Sequence, residues 1–326
     1  MEIFVKSFKE MEEFKKDINE NDAMQLPLVS ICSITYNHAP YIRQCLDGFL
    51  MQKTNFKYEI IIHDDASTDG TAEIIKEYAE KYPDLITPIF QTENQYSKGL
   101  RGFYARFVYP RAKGKYIALC EGDDYWTDPL KLQKQVDFLE SHPDYVMCWQ
   151  QCKFYLQTEN RFTIIYPNDG IKSITKQDFL YGLSMPQTLT FMFKKDALDL
   201  DLYNKVTFSG DLVLYYLLLR QGNGHCISDI GGVYRIHRQG IWSGAEKDKQ
   251  FIWELNAKKA IYQIDSEKET AEFLLRLLEK PISRLFLLKR SKQIFSILRI
   301  LQKHLGTRFL LKFLVNRYIR NKRTLI

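Results

Sequence analysis

Short apolar runs alternate with amphipathic segments along the first 120 residues of the chain. Between the runs, apolar residues recur at helical spacing, first from Tyr41 to Leu50 and then from Ile74 to Tyr78. Four runs are short and rich in β-branched residues, which predicts buried strands. They are LVSICSIT (28–35), YEIIIH (58–63), ITPIFQ (86–91) and KYIALC (115–120). This alternation predicts βαβ units, and therefore an α/β fold with a mostly parallel sheet flanked by helices.

Three of the predicted strands end in polar or acidic residues. These are Thr35, Tyr36 and Asn37 after the first run, Asp64 and Asp65 after the second, and Glu121, Asp123 and Asp124 after the fourth. Ligands of parallel sheets bind beyond the carboxyl ends of the strands. The sequence therefore predicts one site to which all three segments contribute.

The acidic segment places three carboxylates, those of Glu121, Asp123 and Asp124, within four positions. A turn or a helix N-cap would explain one of them. Three like charges this close repel each other and need a counter-charge, which a divalent cation bound through oxygen supplies. The cluster therefore favours a Mg²⁺ or Mn²⁺ site that also holds a diphosphate.

Two common nucleotide-binding motifs are missing from the sequence. No GxGxxG follows the first strand and no GxxxxGK[ST] occurs, which excludes the Rossmann dinucleotide and P-loop classes. Asp64 and Asp65, taken alone, are explained as well by a structural turn.

Charge is distributed unevenly along the chain. Residues 270–326 carry fourteen Lys and Arg against two Glu, a net charge of +12, so residues 1–269 sum to −6 of the total of +6. In this basic region Leu, Ile and Phe clusters are interleaved with Lys and Arg, which is typical of helices that bind an anionic membrane surface. A helical cap that packs on the preceding domain explains the same pattern. A nucleic-acid-binding role is disfavoured because no recognised motif precedes the basic region.

The distribution of apolar and charged residues divides the chain into a leader (1–26), an α/β domain (27–245) and a helical, basic, amphipathic region (246–326). The leader lacks the apolar stretch of a signal peptide, and no run is long enough to span a bilayer. The six Cys form no metal-binding or disulfide pattern, and Cys148 and Cys152 lack a matching second pair. These features predict a cytoplasmic protein, peripheral at the inner face of the plasma membrane.

Three motifs together resemble the family 2 glycosyltransferases, which have the GT-A fold. They are the opening strand VSICSITYN (29–37), the turn DDASTDGT (64–71) and the segment AKGKYIALCEGDD (112–124). Their order and spacing are those usual in the family, in particular in enzymes of bacterial surface-polysaccharide synthesis. Two positions depart from the family pattern, since Ile34 replaces a Pro and Glu121 replaces an Asp. The resemblance implies a GT-A domain followed here by the basic helical extension.

The family resemblance also implies roles for individual residues. Residues implied in binding the nucleotide-sugar are Thr35, Tyr36, Asn37, Asp64, Asp65, Arg106 and Asp123, with Arg101 as the alternative to Arg106. Residues implied in binding a divalent metal are Asp123, Asp124 and His237, the last in the segment Tyr234-Arg235-Ile236-His237. Asp211, in Ser209-Gly210-Asp211, resembles the catalytic base of inverting members.

The implied reaction is metal-dependent sugar transfer from a nucleotide-sugar, favoured as UDP-linked, to a hydroxyl of a glycan or lipid-linked acceptor. Asp211 is explained without catalysis as a helix N-cap, and the other histidines, among them His38 and His63, are expected to be structural. The alternatives at the level of the whole protein are a non-catalytic sugar-nucleotide or membrane-surface binder and a sugar nucleotidyltransferase.

Deletion of residues 280–326 tests the predicted membrane contact. We expect the full chain to float with vesicles that contain anionic lipid and the shortened chain to remain in solution, because each Lys or Arg near such a surface contributes about 1 kcal/mol. Flotation of both proteins with neutral vesicles is the control. Equal flotation of the two proteins would contradict the prediction.

Overall fold

The computed structural model describes residues 26–166, 172–182, 186–205 and 210–275, with single positions 299, 302 and 307. The first half consists of β1 (Val29–Thr35), α1 (Ile42–Leu50), β2 (Tyr58–Asp64), α2 (Thr71–Lys81), β3 (Ile86–Phe90), a π-helix (Tyr104–Val108), β4 (Tyr116–Leu119), β5 (Tyr125–Trp126) and α3 (Lys131–Ser141). The second half consists of β6 (Tyr145–Leu156), β7 (Arg161–Tyr166), β8 (Ser173–Ile174), α4 (Lys176–Leu180), β9 (Met192–Lys194), α5 (Leu200–Lys205), α6 (Asp211–Leu219), β10 (Asn223–Ile236), α7 (Lys247–Ile264) and α8 (Lys268–Leu275). The predicted strands and helices of residues 28–120 are thus present.

Ten strands form one sheet in the described part of the chain. Eight of them lie in the order β3-β2-β1-β4-β9-β6-β10-β5, while β7 pairs with β6 and β8 pairs with β10. Strands β3, β2, β1 and β4 are mutually parallel, and β10 is parallel to β6. Strand β9 is antiparallel to both of its neighbours, β4 and β6. The predicted α/β class with a mostly parallel sheet is confirmed.

Helices cover both faces of the sheet because successive strand residues point to opposite sides. In β1, Ile31 packs with α1, α2 and α3 on one face, whereas Cys32 packs with the cluster on the other face. Helix α6 belongs to this second cluster, and its residues 213–219 are all buried. A helix that is apolar all round is buried all round.

Gly114 shows why strand β4 needs a glycine where it joins β1. A Cβ atom at Gly114 would lie 2.5 Å from the backbone nitrogen of Ser30. The Gly114 N–H donates to Ser30 Oγ at 2.8 Å, and this hydroxyl donates to Glu59 Oε1 at 2.7 Å. The contact fixes β4 against β1 and β2, and thus fixes the position of the acidic turn that follows β4.

Helices α7 and α8 open the region that was predicted to be a basic C-terminal extension. Ala257 and Ile261 of α7 and Phe273 of α8 lie in the same core cluster as α6. Residues 276–326, apart from the three single positions, lie outside the described residues, as does the leader 1–25. The proposed domain boundaries remain predictions. Among the described helices, none combines the length and the hydropathy required to cross a membrane.

Lys131, the first residue of α3, is fully buried. Its Nζ bonds to Gln135 Oε1 at 2.5 Å and lies 4.2 Å from the ring centroid of Trp126. Burial lowers the pKa of this amine from 10.5 to about 7, against the opposing influence of Cys148, Cys120 and Asp128. The core thus holds an amine that gives up its proton near neutral pH.

The lowered pKa of Lys131 makes the stability of the fold depend on pH. Between pH 7 and 10.5 the unfolded chain holds this proton more tightly than the folded chain, so stability rises with pH in that window. Relative to a Lys131→Met variant, we expect the free energy of unfolding of the wild type to increase by about 2 kcal/mol from pH 7 to pH 9. Urea titrations at several pH values measure this difference. Lys53→Met, at an exposed position, is the control, and a pH dependence unchanged in Lys131→Met would contradict the prediction.

Candidate active site

The loop after β1 and the turn after β2 hold each other in place. Asn37 has a left-handed backbone, with φ of 54°, and its N–H donates to Ser67 Oγ at 2.8 Å. In return its side-chain oxygen accepts the N–H of Thr68 at 2.9 Å. Asn tolerates this conformation better than most residues. Asn37, which was predicted to contact the donor, therefore links the two loops.

Two further hydrogen bonds connect the turn after β2 to the residues that precede α1. The N–H of His38 donates to Thr71 Oγ1 at 2.8 Å, and the N–H of Ala39 donates to Asp69 Oδ2 at 3.0 Å. Asp69 Oδ1 also accepts from the hydroxyl of Thr71. Side chains of the DDASTDGT turn thus accept three successive backbone N–H groups of the TYNHA loop, which fixes the path of that loop.

The two aspartates at the end of β2 are buried and bind backbone or hydroxyl groups. Asp64 accepts from Ser67 Oγ at 2.5 Å, and burial raises the pKa of its carboxyl. Asp65 accepts the N–H groups of Gln95 and Tyr96 at 2.9 and 3.0 Å. Both were predicted to bind the nucleotide-sugar. In the structure Asp64 shapes its own turn, and Asp65 holds the loop that follows β3.

Thr35 and Tyr36, at the end of β1, differ in exposure. Thr35 is buried, and its Oγ1 has no hydrogen-bond partner among the described residues. Tyr36 is 43% exposed, so its ring is available to a ligand at the carboxyl edge of the sheet.

The two candidate basic residues lie on and beside the π-helix. Arg106 is exposed, and its Nε donates to the carbonyl oxygen of Arg101 at 3.0 Å. Arg101 lies over the ring of Tyr96, 3.9 Å from its centroid, and donates to the carbonyl oxygens of Tyr96 and Leu100. Arg101 therefore braces the loop held by Asp65, while Arg106 is the more exposed of the two.

Asp123 and His237 meet across the sheet edge. The distance from Asp123 Oδ2 to His237 Nε2 is 3.0 Å, and the side chains are 18% and 4% exposed. Burial alone would raise the pKa of Asp123, but the bond from His237 and the nearby His38 together hold it below its ordinary value. The structure thus brings together two residues, 114 positions apart, that were both predicted to bind metal.

Asp124 faces a different way from Asp123. Its Oδ1 accepts the N–H of Arg235 at 2.7 Å, and the residue is buried. The guanidinium of Arg235 donates to the carbonyl oxygen of Asp123 at 2.7 Å and lies between the rings of Tyr41 and Tyr125. Burial, reinforced by the carboxylates of Asp123 and Glu121, raises the pKa of Asp124 well above its ordinary value. Asp124 therefore ties β10 to the acidic turn.

Asp211 begins helix α6, and its Oδ2 accepts from Thr188 Oγ1 at 3.1 Å. Part of the residue's surface is exposed to solvent. The protein atoms packed around the carboxyl nevertheless displace much of its hydration, and this desolvation raises its pKa. The pKa of Glu121 is raised well above its ordinary value by burial and then by the charges of Asp211 and Asp123. These three carboxylates therefore share one electrostatic environment.

A divalent metal would meet a partial site here. Within the described ranges, no group of three or more His, Cys, Asp and Glu side chains is arranged to hold an ion. Asp123 and His237 bring a carboxylate oxygen and an imidazole nitrogen, which are both metal-ligand types, to the same point of the sheet edge. Magnesium and manganese bound to nucleotides take few protein ligands and complete their shell with phosphate oxygens and water. The residues present fit such an ion.

A model of the glycosyl transferase family 2 matches residues 30–201, about half of the chain. The chain belongs to the family 2 glycosyltransferases. The match contains β1, β2 and the acidic turn but ends before Asp211 and His237, so the family model does not reach these two residues. Their link to the site is the geometry described above.

Two bacterial relatives match the chain to different extents. An uncharacterized protein of Mycobacterium tuberculosis is 38% identical over 231 residues, which are 69% of this chain and 64% of that protein. The chain thus spans slightly less than two thirds of this relative's length. Escherichia coli WfaP, named a UDP-Glc:α-D-GlcNAc-diphosphoundecaprenol β-1,3-glucosyltransferase, is 27% identical over 241 residues, or 72% of this chain and 87% of WfaP.

A crystal structure of Staphylococcus aureus TarS has the same fold. The TM-score is 0.61 at 19% identity, over 85% of this chain and 80% of TarS. The GT-A fold expected from the three motifs is therefore confirmed.

Two residues near Asp123 differ from their sequence-based interpretation. His38 was expected to be structural, yet its Nε2 lies 3.8 Å from Asp123 Oδ2. Glu121 was predicted as part of the acidic cluster without a role of its own, yet the charge of the distant Asp211 raises the pKa of its carboxyl. A single His after the TYN motif carries no periodic signal, and the coupling of Glu121 depends on contacts between distant segments.

Proposed function

We propose that this protein transfers a sugar from a UDP-linked donor to a hydroxyl of a glycan or lipid-linked acceptor in bacterial surface-polysaccharide synthesis. One observation in this family 2 chain carries the proposal: Asp123 and His237 are in hydrogen-bond contact at 3.0 Å. The charges of Asp123 and of Asp211 both act on the carboxyl of Glu121, so these acidic groups share the same environment. WfaP is named for transfer from UDP-glucose to a diphosphoundecaprenol-linked acceptor, which supports the choice of donor and acceptor class. The TarS structures with UDP and with UDP-GlcNAc agree with this choice.

Donor binding involves the carboxyl edge of the sheet. Tyr36, with 43% of its surface exposed, stacks on the base, and Arg106 contributes positive charge from the π-helix. Asp123 and His237 would hold the divalent metal. When bound, this ion would neutralise charge that develops on the leaving diphosphate.

Acceptor activation is assigned to Asp211. Thr188 hydrogen-bonds one carboxylate oxygen, which orients the group and presents the other oxygen to the acceptor hydroxyl. A base whose pKa is raised towards neutrality takes a proton more readily as the hydroxyl attacks. The acceptor oxygen bonds to the anomeric carbon as the bond to the diphosphate breaks, and the proton passes to Asp211. One base on the face opposite the leaving group gives inversion.

The basic C-terminal region would hold the enzyme at the cytoplasmic membrane surface. Its net charge of +12 over residues 270–326 suits an anionic leaflet. This location would place the site near a lipid-linked acceptor. The acidic α/β domain would thus carry the site, and the basic extension would hold it at the membrane.

Asp211→Asn tests the assignment of the base. We expect the rate of sugar transfer to fall by about 100- to 10,000-fold, the usual contribution of a general base, with UDP affinity nearly unchanged. Release of the nucleoside diphosphate, UDP from UDP-sugars and GDP from GDP-sugars, in Mn²⁺ and with isolated membrane lipids as acceptor measures transfer. Asp84→Asn, at an exposed position, is the matched control. Turnover at the wild-type rate in Asp211→Asn would remove the assignment.

Asp123→Asn and His237→Gln test the metal site. We expect both changes to abolish the gain in UDP affinity that Mn²⁺ gives the wild type, because each removes one of two protein ligands. Calorimetric titration of UDP in Mn²⁺ and in chelator measures this gain for each protein, with Asp84→Asn again as control. Equal UDP affinity of the wild type in Mn²⁺ and in chelator would contradict the proposed metal site.

A further inference from the structure

His38 has its backbone fixed on two sides. It lies between β1 and α1, and the bonds to Thr71 and Asp69 described above hold its own N–H and that of Ala39. The side chain is 16% exposed, so the fold rather than solvent determines where the imidazole points.

The imidazole packs directly against the backbone of the acidic turn. A Cβ atom at Gly122 would lie 3.1 Å from His38 Nδ1 and 2.7 Å from Thr35 Oγ1, so a larger residue than glycine would displace both groups. The ring of Tyr41 approaches from a second side, with its centroid 6.2 Å from that of His38. Nδ1 is buried and has no hydrogen-bond partner in the part of the chain that the structure describes.

The other ring nitrogen of His38 faces the predicted donor site. Its Nε2 lies 3.8 Å from Asp123 Oδ2, which is too far for a hydrogen bond. His237 Nε2 holds this same oxygen at 3.0 Å, and the two imidazole rings are nearly perpendicular, with centroids 6.4 Å apart. Asp123 is therefore bonded to one imidazole and faced by a second one that lies close to it without bonding to it.

We propose that His38 Nε2 binds the diphosphate of the nucleotide-sugar donor, beside Asp123 and His237. The inference rests on the proposed function, since it names a further binding residue in the same site. In the tautomer with its proton on Nε2, the ring donates to a phosphate oxygen, and a hydrogen bond to a charged oxygen is stronger than one between neutral groups. Because His38 Nε2 lies so close to Asp123, its N–H group is within the region where the diphosphate and its metal would lie.

Paired substitutions distinguish the two nitrogens of the ring. The amide of Gln reaches the position of Nε2, whereas the amide of Asn reaches only that of Nδ1. We expect His38→Asn to lower UDP affinity about tenfold or more in Mn²⁺, and His38→Gln to retain most of it, because a hydrogen bond to a charged group contributes on this scale. Uridine, which lacks phosphate, should bind all three proteins equally. Calorimetric titration with UDP and with uridine provides the measurement.

His142→Gln, at an exposed position, is the control, and thermal melting curves verify that each variant is folded. UDP affinity in His38→Asn within twofold of the wild type would overturn the inference while leaving the proposed function intact. Equal losses for UDP and uridine would also overturn it, since they would show that His38 only supports the loop. If the wild type binds neither UDP nor GDP, the proposed function and this inference fail together.

Discussion

The contact between Asp123 and His237 joins the two halves of the sheet at its carboxyl edge. Asp123 follows β4, which pairs with β1 and so continues the parallel strands β3, β2 and β1, whereas His237 follows β10, which pairs with β6 and β5. A buried carboxylate is costly unless it is paired, and His237 pairs this one at 3.0 Å. Arg235 reinforces the junction, because its backbone and guanidinium bind the two sides of the same turn. The end of β10 is thus fixed against the acidic turn, whereas the rest of the strand is held by its pairing with β6.

The motifs of the family contain two kinds of residue in this structure. Asn37, Ser67 and Asp69 bond mainly to the backbone of neighbouring loops, so their role is to set the shape of the edge. Tyr36 is exposed and Asp123 meets His237, so these two residues are left for the ligand in the proposed function. Precise placement of the second group depends on the first, since a loop without these bonds would leave buried backbone N–H groups without acceptors. Much of each motif in this chain therefore serves to shape the loops at this edge.

Sequence patterns predicted the parallel half of the fold well because each strand there is a continuous apolar run. Strand β9, only three residues long, inserts antiparallel between β4 and β6, and a run of this length carries no periodic signal. The acidic turn was evident from its charge density alone. What local sequence cannot provide is direction: Asp123 and Asp124 are adjacent, yet one faces His237 and the other binds the backbone of Arg235. The same limit explains why His38 was taken as structural.

Protonation follows from how the fold distributes its acidic groups. Asp123, bonded to His237 and near His38, has a lowered pKa and holds its negative charge, while burial raises the pKa of Glu121, Asp124 and Asp211. A diphosphate that enters this region adds further negative charge at low dielectric, where like charges repel strongly. The guanidinium of Arg235 already donates to the carbonyl oxygen of Asp123 and to Gln44, which limits what it can offer a ligand. The proposed nucleotide-sugar would therefore depend on positive charge or hydrogen-bond donors from elsewhere. A metal ion that arrives with it, Arg106 and the imidazoles of His38 and His237 would all serve this need.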